Sequence, residues 1–349
     1  MTGKAKTWFF LGANTSQGFF SLYDELKKEA SFIWYIKGGP GNGKSSFMKA
    51  VASAAERTGH PVDYILCSGD PDSLDGIIIR DIGVAYTDAT SPHIQEPKLP
   101  GAGGRYIDLS LFYTTRSGFD AAAISQSFAG YRAEYARAYD LFSAAVRVSP
   151  TGIPGLLRNE EIQNAFDSGR SFADQLISEG NGCRVRRRFM SAYTCAGRVF
   201  CPYPDAKIYY LESSCGLEDQ WLRGAAEICF QKDQNVIICP DPLTPEKTEA
   251  LILPDEEIAF VKKYRGMKKP KNHSGTIRPG GETVLHSLPE LQQEYKSSMF
   301  LQNRLLVLGT EHLKKAKLIH DELEGLYHPF VDFNALEAFT EEHIQSLCL

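Results

Sequence analysis

The residues best equipped for chemistry are Lys44 and Ser45, which close the run Gly38-Gly39-Pro40-Gly41-Asn42-Gly43-Lys44-Ser45-Ser46. The spacing is G-x-x-x-x-G-K-[ST], the pattern of a loop that wraps backbone around phosphate oxygens. Glycines let the chain approach the anion and adopt positive φ, so that bare N–H groups face it. In that chemistry the lysine spans the β- and γ-phosphates, and the serine hydroxyl is a ligand of Mg²⁺. The bland alternative is a glycine turn without a ligand.

The flanks bear on that choice. Upstream, Phe32-Ile33-Trp34-Tyr35-Ile36 is aromatic and β-branched and predicts a buried strand. Downstream, Phe47, Met48, Val51, Ala52 and Ala55 recur at helical spacing. Strand, loop and helix are the context the motif needs, and they favour phosphate binding by the whole run from Gly38 to Ser46.

Carboxylates come next. A predicted strand over Ile82 to Thr87 ends in Asp88, the form of a Walker B element whose carboxylate supports the Mg²⁺ shell. The strand Val62 to Cys67 runs into a loop, Ser68 to Gly76, that carries Asp70, Asp72 and Asp75. Ligands of open parallel sheets sit beyond the carboxyl ends of the strands, so Asp70, Asp72 and Asp88 are expected on one rim with Lys44. Asp70 and Asp72 are candidates to position or deprotonate an acceptor hydroxyl, as a kinase requires. Asp and Pro also favour turns for conformational reasons alone. His93, in the loop after Asp88, is a candidate cap or supporting residue.

The elements that hold these residues belong to a chain of 349 residues with 23% charged and 43% hydrophobic residues and a formal charge of -5. That suits a globular protein with two domains and real cores. No run reaches the roughly 18 apolar residues of a membrane span, so the expected location is the cytoplasm, with no membrane partner. The charge gives no global basic field for nucleic acid, and no reading motif is evident. Arg184, Arg186, Arg187 and Arg188 do cluster, and are expected to form a solvated stretch at a domain junction. The eight cysteines make no Cys-x-x-Cys pair, which favours reduced, buried thiols over a zinc site.

Aromatic runs on either side of a Gly/Asn/Thr/Ser turn predict a hairpin over residues 8–20. Ile124, Phe128, Tyr131, Tyr135, Ala138, Phe142 and Ala145 mark a long amphipathic helix, and Ile162, Phe166, Phe172 and Leu176 another. They predict a helical extension, which offers a surface to a possible protein partner.

The second half repeats the first. Ala192 to Gly197 mirrors Ala13 to Gly18, Lys207 to Leu211 mirrors the strand before the loop, Val236 to Cys239 mirrors Tyr64 to Cys67, and Leu251 to Leu253 mirrors Ile77 to Ile79. Helical patterns close this half too, from Leu288 to Tyr327 and from Phe333 to Leu347. The division is 1–183 and 184–349. In this alignment Gly41 falls on Gly216, Gly38 and Gly39 on Ser213 and Ser214, Lys44 on Asp219, Ser45 on Gln220, and Asp88 on Lys262. A carboxylate where phosphates should lie and an ammonium where the metal should lie repel both, so the second unit is expected to have lost nucleotide binding.

On Gly12-Ala13-Asn14-Thr15, Gly18-Phe19, Lys37 to Ser45, Asp70 to Gly76, Ser91-Pro92-His93 and Lys317 to Glu324, the chain resembles a bacterial family of tandem P-loop ATPase-like proteins of Gram-positive spore-formers. The resemblance covers nearly the whole chain. It implies an α/β fold of two P-loop NTPase-like units, each a mostly parallel sheet flanked by helices with a helical extension, and it implies ATP or GTP binding without a particular reaction. Family members carry the loop in both halves; this sequence departs from them over Ser213 to Gln220.

The leading expectation is therefore Mg²⁺-dependent binding and hydrolysis of ATP (or GTP) by one working loop, with Lys44, Asp88, Asp70 and Asp72 as the catalytic candidates and Ser45 and Asp88 as the metal ligands. The alternatives are a small-molecule or nucleotide kinase and a nucleotide-sensing interaction protein with negligible turnover. Arg198 and Arg223 are candidates for an arginine reaching across from the second unit.

Overall fold

The computed structural model describes residues 6–91, 94–115, 118–150, 157–212, 216–267, 272–280 and 289–347. Pro92, His93, Ser213 and Ser214 lie outside these residues. In the first unit the strands are β1 (Thr7–Phe9), β2 (Gly12–Thr15), β3 (Gly18–Ser21), β4 (Phe32–Lys37), β5 (Val62–Leu66), β6 (Leu74–Ile79), β7 (Val84–Asp88) and β8 (Gly104–Asp108). Six of them form a sheet in the order β1-β5-β6-β7-β4-β8, while β2 and β3 pair as a hairpin shorter than the one expected over 8–20, because Trp8 and Phe9 belong to β1 of the sheet. All neighbours in the sheet run parallel except β6, which is antiparallel to both β5 and β7.

The second unit holds β9 (Val185–Arg187), β10 (Ser191–Thr194), β11 (Gly197–Phe200), β12 (Lys207–Leu211), β13 (Val236–Pro240), β14 (Thr248–Leu253), β15 (Ile258–Lys262) and β16 (His273–Ile277). Its sheet has the order β9-β13-β14-β15-β12-β16, with β14 as the antiparallel member and β10–β11 as the hairpin. Strand for strand this is the first unit again. The internal repeat is a repeat of architecture, and the fold is a mixed α/β one of two mostly parallel sheets flanked by helices.

Strands β6 and β7 are bounded differently from the sequence reading. The stretch from Leu74 was expected to be loop as far as Gly76, but it is the fully buried strand β6. Asp75 and Gly76 disguise it. Asp75 is buried and accepts a hydrogen bond from the Tyr23 hydroxyl at 2.8 Å. Gly76 passes so close to β7 that an added Cβ would lie 2.7 Å from the Tyr86 carbonyl oxygen. Strand β7 starts at Val84, because Gly83 turns the chain with φ +64.

Helices are α1 (Leu26–Glu29), α2 (Lys44–Arg57), α3 (Ala121–Arg147), α4 (Asn159–Leu176), α5 (Glu218–Gln231), α6 (Pro289–Tyr327) and α7 (Phe333–Ser346). The two long helices, α3 and α6, lie antiparallel: Gly130 meets Ile319, Glu134 bonds His312, and Phe142 meets Gly309. Each carries its successor to the opposite unit. Helix α4 packs on α5, with Gly169 and Gly224 so close to the opposing backbones that neither position admits a side chain. Helix α7 packs on α2, placing Leu336 and Phe339 in the first unit's core.

Within the arginine cluster Arg184 is exposed as expected, but Arg188 corrects the expectation. Arg188 is buried between the units, 3.1 Å from Asp63 and ion-paired with Glu29, with its guanidinium 3.9 Å over the Phe9 ring. Arg184 donates to the Lys28 carbonyl at 2.6 Å. These side chains tie edge strand β9 to the first unit, since a buried guanidinium needs carboxylates and carbonyls in place of water. Asn14 is a second tie: its amide donates to the carbonyls of Ser68 and Tyr193, each at 2.9 Å, and accepts from Tyr139 at 3.0 Å.

Candidate functional site

Strand β4 delivers the glycine loop and α2 receives it, as the flanking patterns predict. Gly41 and Gly43 take φ of +69 and +77, a region side chains rarely adopt, and Gly43 is the residue that starts α2. Among the described residues, the amide N–H groups of Gly41, Gly43, Lys44, Ser45 and Ser46 have no hydrogen-bond acceptor. They are the orphan donors of a helix start together with the loop that precedes it.

Lys44 Nζ donates to the carbonyls of Gly38 and Gly39 at 2.9 and 2.8 Å and lies 3.8 Å from Asp88 Oδ2. The contact follows from topology. β4 and β7 are parallel neighbours with Ile36 opposite Asp88, so the loop after one strand and the last residue of the other share a rim. The other Asp88 oxygen accepts from the Thr90 amide at 2.8 Å and from the Thr90 hydroxyl at 2.5 Å, leaving Oδ2 turned toward Lys44. Ser45 Oγ accepts the Leu74 amide at 3.0 Å, which keeps a second lone pair for a metal.

The other predicted carboxylates are engaged differently. Asp70 accepts from the Asp72 amide at 3.1 Å and the Ser73 hydroxyl at 3.0 Å, and Lys317 stands 3.4 Å away. Asp72 is exposed, and its carbonyl holds Lys49 at 2.7 Å. The two close a turn beside the rim. Arg198 and Arg223 do not serve the first unit: Arg198 is paired with buried Glu249 at 2.6 Å and Arg223 with Asp219 at 2.9 Å, both within the second.

What sequence reasoning missed is a roof. An added Cβ at Gly39 would lie 2.5 Å from the Tyr113 hydroxyl and 3.4 Å from Tyr327. At Gly41 it would meet His328 at 2.6 Å and Glu324 at 3.2 Å, and at Gly43 Leu336 at 2.8 Å. The end of α6 and the start of α7 thus lie on the loop. Under them, the buried Asn42 Oδ1 has no hydrogen-bond partner among the described residues, and the buried Tyr113 hydroxyl lies against Gly39. Burial pushes the Tyr113 phenol up to about 12, so it remains a neutral donor. The hint in the sequence was the stretch Lys317 to Glu324, whose position over the loop only the folded chain reveals.

In the second unit the residues that correspond to the glycine-loop site follow from the register. Lys262 lies opposite Leu211 on neighbouring strands, as Asp88 lies opposite Ile36. Asp219 accepts the first amide of β14, from Thr248, at 2.9 Å, as Ser45 accepts that of β6. Asp219 therefore takes the place of Ser45, and Glu218, the first residue of α5, that of Lys44. This shifts the sequence alignment by one residue, because the second loop is one residue shorter between Gly216 and its helix. An acid still replaces the lysine.

Hydroxyl and carboxylate oxygens such as those of Ser45 and Asp88 are the type of hard donor that could hold Mg²⁺, and unpaired amides at a helix start are the type of donor that could hold an anion. Comparison of the chain with protein-family models, with curated proteins and with solved structures found no match. No helix among the described residues is long and apolar enough to cross a membrane.

Proposed function

We propose that the first unit binds a nucleoside triphosphate, ATP or GTP, together with Mg²⁺, and hydrolyses it. The observation that carries this reading is the placement of Lys44 and Asp88, 3.8 Å apart at neighbouring strand ends beside a loop of unpaired amides. The amides and Lys44 would take phosphate oxygens, with Lys44 exchanging the carbonyls of Gly38 and Gly39 for them. Mg²⁺, held by Ser45 Oγ and Asp88, would supply neutralisation of the charge that develops on the leaving oxygens. Preorganised donors aimed at developing charge account for most of the acceleration in this chemistry.

The roof favours a second reading. A triphosphate can enter only if Tyr327, His328 and Glu324 yield, which makes nucleotide binding a signal to α6 whatever its turnover. The kinase reading has less support, since Asp70 is held by Ser73, Lys317 and its own turn. Phosphate release under Mg²⁺ separates these readings. Wild type is expected to release phosphate, and Lys44→Ala and Asp88→Asn to lose at least about a hundredfold in rate. Nucleotide binding with no release would leave the sensing reading; the absence of any binding would end both.

A further inference from the structure

An opening in the second unit has no part in the site described above. A cavity of about 550 Å³ lies at the carboxyl ends of β13 and β15, under α6. It occupies the rim that corresponds to the glycine-loop site of the first unit, with Lys262 in the place of Asp88. That size suits a small-molecule ligand.

Its described lining holds six lysines and arginines against three carboxylates, Glu218, Asp241 and Glu311. Lys262 sits 3.9 Å from Asp241, Arg198 is paired with Glu249, and Lys263 with Glu212. Lys247, Arg265 and Lys314 also line the cavity, and among the described residues they have no ion-pair partner. Burial works against the charge on Lys262, but Asp241 and then Glu218 outweigh it, and its ammonium is held charged. The rest of the wall mixes polar side chains such as Gln302, Asn303 and Thr310 with apolar and aromatic ones. Tyr264, stacked under the Arg198 guanidinium at 3.8 Å, faces the space together with Tyr193, Met299 and Leu306.

We infer that this cavity is a binding site for a small amphipathic organic anion, taken up without a metal ion. The ammonium of Lys262 stands where the first unit offers a metal-binding carboxylate, and the hydroxyl of Ser45 is replaced by Asp219, already bonded to Thr248. With an ammonium in one ligand position and both Asp219 oxygens engaged, one by the Thr248 amide and the other by Arg223 at 2.9 Å, the place offers no free carboxylate to a divalent metal, and Lys247, Arg265 and Lys314 are left to receive the anionic group directly. Tyr193, Tyr264 and Met299 take the apolar body. The site differs from the nucleotide site of the first unit in ligand class and in its independence of Mg²⁺, and it rests on none of the residues that carry that proposal.

The test is a fluorescence titration of the full chain in EDTA with anilinonaphthalene sulfonate, an aromatic anion, and with uncharged N-phenyl-1-naphthylamine. We expect one sulfonate site per chain and at least about tenfold weaker binding of the uncharged probe. The double variant Lys247→Glu/Lys314→Glu should weaken the sulfonate by about tenfold or more, and Arg265→Glu, at an exposed side chain, should weaken it severalfold. Lys315→Glu, on the same helix but outside the cavity, should leave it unchanged, as should saturating Mg²⁺–ATP leave the stoichiometry. Equal binding of both probes overturns the inference. So does wild-type affinity in the folded double and Arg265 variants, or loss of the site when nucleotide saturates.

Discussion

Asp88 and Lys44 are neighbours because a parallel sheet brings strand ends to one rim, and that shared place was legible in the sequence. The glycine loop was legible too: its geometry is local and needs only Gly, Lys and Ser in order. Asp75 was not, since a carboxylate inside a buried strand is acceptable only with a donor such as Tyr23, some fifty residues away in sequence. His343 gives a residue-scale expectation. It lies in α7 against Trp34 and Phe47, with Nε2 2.8 Å from the Tyr86 hydroxyl, and burial pushes its imidazole below 6.5. Below that pH the unfolded chain binds more protons than the folded one, so stability falls as pH falls. The urea midpoint should drop on acidification below pH 6.5 in wild type, and the dependence should flatten in His343→Gln. An unchanged slope in the variant would show that His343 is not the group responsible.

Among the elements, helices were the most legible: the stripes from Ile124 to Ala145 and from Ile162 to Leu176 correspond to α3 and α4 almost to the residue. Periodicity is a local property. Which unit a helix covers is not, and the exchange that sets α4 on α5 and α7 on α2 depends on contacts between distant segments. Strand β8 escaped notice because, as an edge strand, it exposes Arg105, Tyr106 and Asp108 and has no apolar run. The roof at the α6–α7 junction should limit the rate at which nucleotide enters. Tyr327→Ala with His328→Ala is expected to raise the association rate severalfold in stopped-flow fluorescence, because binding that waits on a conformational change is slow. A rate equal to that of wild type would mean that the roof opens faster than nucleotide arrives.

At the scale of the whole molecule the chain is two copies of one architecture whose sites have diverged, joined by buried ion pairs and by two helices that each span both. Helix α6 alone covers the cavity of the second unit near Tyr295 and Met299 and the loop of the first near Glu324 and Tyr327. The junction depends on Arg188. Among the described residues, Arg188→Ala leaves Glu29 only Arg186 as a cation, at 4.0 Å, and Asp63 only Arg80, at 3.5 Å, and should cost about 3 kcal/mol in urea unfolding; a loss below about 1 kcal/mol would place the junction's strength elsewhere. The repeat itself was legible in the sequence, but its register was off by one at α5, since a single-residue deletion in a loop leaves no trace in composition.

The most direct measurement is calorimetric titration of the full chain with Mg²⁺–ATP, and with Mg²⁺–GTP, in wild type and Lys44→Ala. The account requires one nucleotide per chain for wild type, with either base, and none for the variant at the same concentrations. Two nucleotides per chain, or binding that survives the loss of the Lys44 ammonium, would contradict it.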